Sequence, residues 1–108
     1  MKWEAIGEFV RTWAAENGLP EDMSGRVLVL VDFASEEDCG FFYPGRDILS
    51  QKAFTMALAK LARMRHARTE HSVVTPEQYR AWLAASQTED CPENRARFIE
   101  SRYRHLPQ

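Results

Sequence analysis

Cysteine is scarce in this chain of 108 residues. There are two, Cys39 and Cys91, whereas a secreted domain this short that depends on disulfides usually has more. Asn-x-Ser/Thr acceptors are missing too, since Asn17 precedes Gly18-Leu19 and Asn94 precedes Arg95-Ala96. Both absences point to a reducing compartment and leave a single Cys39–Cys91 bridge as the only disulfide to consider. Long apolar runs are also lacking: the longest aliphatic stretch, Val27 to Val31, falls far short of the roughly 20 residues a membrane helix needs. The opening Met1-Lys2-Trp3-Glu4 leads into an acidic amphipathic segment with no apolar leader core. No linker or low-complexity stretch divides the chain. These features predict a soluble, cytoplasmic, single domain over residues 1–108 that does not engage a membrane.

The spacings that carry common chemistries are missing as well. No Cys-x-x-Cys, His-x-x-x-His or His-Glu-x-x-His occurs, so His66, His71, His105, Cys39 and Cys91 read as isolated side chains rather than a zinc site. Neither a Gly-x-Ser-x-Gly turn nor a glycine-rich phosphate loop is present. Cys39 lies among acids that disfavour a thiolate. Cys91 is better placed, near a helix start, but has no identified base. The sequence therefore predicts no catalytic residues, no metal and no cofactor. Asp32, followed by Glu36, Glu37 and Asp38, is the one acidic cluster at a strand end. It supports, as a third reading, a metal-assisted phosphoryl-transfer enzyme.

What the chain does contain is ordinary globular material, 44% hydrophobic and 28% charged. Ile6, Phe9, Val10 and Trp13 repeat with helical spacing, Trp3 and Ala14 flank the same face, and Asn17-Gly18 with Pro20 ends the helix. Arg26–Phe33 is apolar on both faces, as in a covered strand. Phe41-Phe42-Tyr43 reads as a short returning strand of a hairpin, stopped by Pro44-Gly45. A second helix starts near Ser50, after a separate turn at Asp47–Leu49, and buries Phe54, Ala57, Leu58, Leu61 and Met64. Thr69–Val74 makes a weak third strand. Thr75-Pro76-Glu77-Gln78 forms a capping box for a helix burying Tyr79, Trp82 and Leu83. Asp90-Cys91-Pro92-Glu93 starts a last helix, which carries Ala96, Ile99, Tyr103 and Leu106 inward, and the tail from His105 frays. The expected fold is α+β in the order α-β-β-α-β-α-α, with a short, mostly antiparallel sheet packed by helices.

Two surplus features suggest function. Three Trp, three Tyr, six Phe and four Met are many large apolar groups for this length. Phe41, Phe42 and Tyr43 sit on a strand expected at an edge. Met56 opposes the Phe54/Leu58 stripe, and Phe98 projects away from Ile99/Tyr103. These five are the expected anchors of a non-enzymatic protein-interaction domain, an accessory or regulatory subunit binding another protein or a second copy of itself. Charge supplies the alternative. Residues 1–50 sum to −6 and residues 51–108 to +4. Lys60, Arg63, Arg65 and Arg68 on one basic stretch, with Arg97 and Arg104 on the last helix, would contact the phosphates of a nucleic acid if their faces adjoin. A pI near 5.9 weighs against that reading.

Overall fold

The computed structural model describes residues 3–107, with side chains from Ile6 onward. The side chain of Trp3, assigned above to the buried face of the first helix, lies outside the described residues, as do Met1 and Lys2. The fold is α+β, in the order α1 (Trp3–Glu16), β1 (Arg26–Phe33), α2 (Glu36–Phe42), α3 (Ile48–Met64), β2 (Arg68–Val74), α4 (Pro76–Ser86), α5 (Pro92–Arg102) and β3 (Arg104–Pro107).

Local chemistry fixes the boundaries. The amide of Leu19 donates to the Ala14 carbonyl across Gly18, whose φ of 71° only glycine adopts without cost, so α1 closes there. Thr75 and Gln78 form the reciprocal capping box, with Pro76 in the first turn of α4. Asp47 caps α3 by accepting from the Ser50 amide, so Asp47–Leu49 is the helix start itself and not a separate turn. The segment expected to return as a hairpin is instead helical. Ser35 accepts from the Asp38 amide, and Glu36, Glu37 and Asp38 fill the first turn of α2, where their charge complements the helix dipole. That start outweighs the strand preference of Phe41-Phe42.

The sheet has three strands in the order β2-β1-β3. It is mixed: β1 runs parallel to β2 and antiparallel to β3. Of the tail expected to fray, His105–Pro107 is paired, since Arg104–Pro107 aligns with Val29–Arg26 as β3, and Gln108 lies outside the described residues. Arg26 Nη1 lies 3.1 Å from His105 Nδ1 across that pair. Alternation along β1 divides the interior in two. Leu28 and Leu30 join Ile6, Val10, Leu58, Ala59 and Ala62 on the side of α1 and α3. Val31 and Phe33 join Cys39, Phe42, Tyr79, Phe98 and Ile99 on the side of α2, α4 and α5. The central strand is therefore covered on both faces and paired on both edges, which is why it shows no polar alternation. Burial of each Leu or Val here contributes about 1.5–3 kcal/mol. Among the described residues, no helix is long and apolar enough to cross a membrane.

Candidate functional site

Helical geometry puts Met56, Lys60, Arg63 and Met64 on one stripe of α3, at i, i+4, i+7 and i+8. That stripe points away from Leu58 and Ala62, which are buried against β1. Met56 is 64% exposed and Met64 68%. Met64 was expected on the buried face; the helix turns it outward one residue before the Arg65 cap. Beside this stripe, α1 contributes Gly7, Glu8, Val10 and Arg11, and an open groove of about 1080 Å³ lies between the two helices. Its apolar lining comes from Val10, Met56, Ala57, Leu61 and Met64, and its charged lining from Arg11, Lys60 and Arg63 against Glu8. His71 of β2 reaches its far end. The imidazole Nδ1 lies 2.8 Å from Asp32 Oδ2, which holds the ring in place.

The aromatic anchors expected from the sequence behave differently. Phe98 is fully buried and Phe42 nearly so, both stacked within the second core. Their exposure was inferred from helix and strand projections that left out α2, whose packing against α5 and β1 encloses them. Phe41 is half-buried beneath Arg95, whose guanidinium lies 3.8 Å from the ring centre and donates from Nη1 to the Phe41 carbonyl at 2.9 Å. Tyr43 is half-buried under Arg46 at 4.2 Å, and burial pushes its phenol well above the usual range. Of the five, Met56 alone presents an exposed apolar surface.

The basic residues separate too. Arg65 donates from Nη1 to the Leu19 and Pro20 carbonyls at 3.4 Å each, tying the loop after α1 to the end of α3. Arg104 is not on the last helix, which ends at Arg102; it lies on β3 opposite Val29. By register Arg68 and Arg104 share the sheet face that α5 covers, the face opposite α3. Exposed Arg97 stands on α5, packed on that same side. Lys60 and Arg63 are thus on one side of the sheet and Arg97, Arg104 and Arg68 on the other. The two basic helices do not form one surface.

A polar network closes the second core. The Tyr79 hydroxyl donates to Asp90 Oδ1 at 2.8 Å, and Arg95 donates to both Asp90 oxygens at 2.8 Å. Hydrogen bonding from Arg95 first, and then from Tyr79, pulls the Asp90 carboxyl down to about 2. Burial raises the Tyr79 phenol, and the Asp90 charge adds to the shift. Cys39 is buried, its thiol raised by desolvation, with Sγ 3.6 Å from the Arg46 carbonyl. Neither cysteine is bridged. Asp32 is engaged by His71, and Glu36, Glu37 and Asp38 belong to the first turn of α2. Among the described residues, no group of three His, Cys, Asp or Glu side chains could hold a metal ion.

Sequence reasoning missed the groove because it requires the packing of α1 on α3. Its one legible trace was the spacing of Met56, Lys60, Arg63 and Met64. No family model matches the chain, and no curated protein or solved structure matches it either.

Proposed function

We propose that this chain is a protein-interaction domain, an accessory or regulatory subunit of the cytoplasm, and that it docks a protein partner in the groove between α1 and α3. The observation that carries the reading is the pair of exposed methionines lining one cleft together with Val10, Ala57 and Leu61. Leu49, Val73 and Leu106 are exposed elsewhere, but these two methionines share one cleft. Flexible, polarisable methionine suits a surface that must repack against another chain. The unbridged cysteines support the cytoplasmic assignment.

A photo-crosslinking residue placed at Met64 of the full chain, in the cell that makes it, tests the reading. Discrete protein adducts are expected at that position and not at exposed Ala84 on α4. Equal labelling at both positions overturns the proposal. An adduct of twice the chain mass would identify a second copy as the partner, which light scattering of the purified protein checks independently.

The nucleic-acid reading keeps only Lys60 and Arg63 on this face, too few for a phosphate track.

A further inference from the structure

The same groove carries information about what fills it, and the following rests on the docking reading above. We infer that the occupant is an acidic amphipathic helix of a partner protein. The chain as a whole carries a formal charge of −2, so its net charge does not favour an acidic partner. The groove reverses that sign, with Arg11, Lys60 and Arg63 against Glu8. Among the described residues, no carboxylate lies within 4 Å of these three cations. Arg95, by contrast, holds Asp90.

Shape specifies a helix. Two helices packed side by side present rows of side chains three and four residues apart, and a third helix seats its own ridges between such rows. Met56, Lys60, Arg63 and Met64 form such a row, with the two cations between the two methionines. An entering helix with Leu or Phe on one stripe and Glu or Asp beside it meets both at once. Gly7 keeps the α1 wall low: a Cβ built there meets only the Arg11 guanidinium, at 3.5 Å. A phosphate backbone would find the same cations but would have no use for the methionines on either side of them.

The experiment titrates the intact protein into a fluorescent peptide of about 18 residues, five turns of helix, with Leu on one face and Glu on the other. A second peptide carries Lys in place of Glu, and a third probe is a single-stranded oligonucleotide. Saturable binding of the acidic peptide is expected. The double variant Lys60→Glu/Arg63→Glu should weaken it about tenfold or more, as should the charge-neutral Gly7→Leu, which fills the wall. Both variants alter exposed or half-exposed helix positions, and circular dichroism checks that they remain folded. Equal affinity for the lysine peptide, lost in Gly7→Leu, overturns the acidic occupant while sustaining the docking groove. Tighter binding of the oligonucleotide, falling steeply with salt, overturns the inference in favour of phosphate. If no probe binds, the inference falls, and the crosslinking result decides the docking reading separately.

Discussion

The two sides of β1 are built from the same strand yet finished in opposite ways. Toward α2, α4 and α5 the core is aromatic. Phe33 stacks on Phe42 at 5.6 Å and Phe42 on Phe98 at 6.0 Å, and Tyr79 packs edge-on against Phe42 at 5.7 Å. A polar clasp of Tyr79, Asp90 and Arg95 seals its rim. Toward α1 and α3 the fully buried residues around Leu28 and Leu30 are aliphatic, with small alanines; the rings of Trp13, Phe54 and Tyr103 pack only at their margin, and the outer surface is left open at Met56 and Met64. Interlocked rings fix a single arrangement, whereas alanine and methionine surfaces leave room to adjust. One side of the sheet is closed by interlocked rings; the other leaves two methionines exposed.

The strongest way to break this contrast is to empty the aromatic side. Phe98 is completely buried and contacts Phe42, Tyr79 and Trp82. Phe98→Ala should cost about 3–5 kcal/mol in denaturant unfolding, from lost transfer energy plus an unfilled cavity. That is a large share of the 5–15 kcal/mol typical of a domain. A loss below about 1 kcal/mol would mean that the aromatic side is no more tightly built than the groove.

The clasp offers a milder test. Tyr79→Phe removes one hydroxyl donor while Arg95 still holds Asp90, so a loss of about 1 kcal/mol is expected. Alkali probes the same side. Burial raises the phenols of Tyr43, Tyr79 and Tyr103 above their ordinary value of 10.0, so the folded state favours the neutral form. Their contribution is complete below that pH and is lost as pH rises beyond it. Denaturant midpoints should hold between about pH 8 and 9.5 and fall beyond pH 10, less steeply in Tyr79→Phe. Asp90 works in the other direction. Its carboxyl is depressed to about 2 from 3.8, so its contribution is present above the upper value and disappears as pH falls toward the lower.

How far the sequence spoke follows from the range of each signal. Signals confined to one turn were readable: the capping box at Thr75, the stop at Asn17-Gly18 and the continuous apolarity of β1. α2 turned on a competition within eight residues, where Ser35 and three acids in the first turn prevailed over two phenylalanines. The cue, Ser35-x-x-Asp38, lies just ahead of the aromatics, within the acidic stretch read above as a cluster at a strand end. β3 carries almost no strand signal of its own and exists because β1 has a free edge to pair. The candidate site lay furthest from view. Met56, Lys60 and Arg63 could be read as facing outward from helical angles, but Gly7 and Arg11 join them through the crossing of two helices distant in sequence. Phe98 shows the converse: a projection outward from one stripe became burial once α2 lay across it.

The gentlest perturbation sharpens the contrast most. Met56→Ser/Met64→Ser exchanges two exposed thioethers for hydroxyls that water satisfies, and it leaves Leu58, Ala59 and Ala62 untouched on the far side of α3. If the groove contributes nothing to folding, the unfolding free energy should stay within about 0.5 kcal/mol of the parent. Docking of the acidic peptide should nevertheless weaken, since the methionines supply its apolar seat. Calorimetric unfolding and peptide titration on the same sample separate the two effects. A stability loss above about 1 kcal/mol would show the methionines to be part of the core, and the open side of the sheet would then be a second, shallower interior rather than a surface kept for a partner.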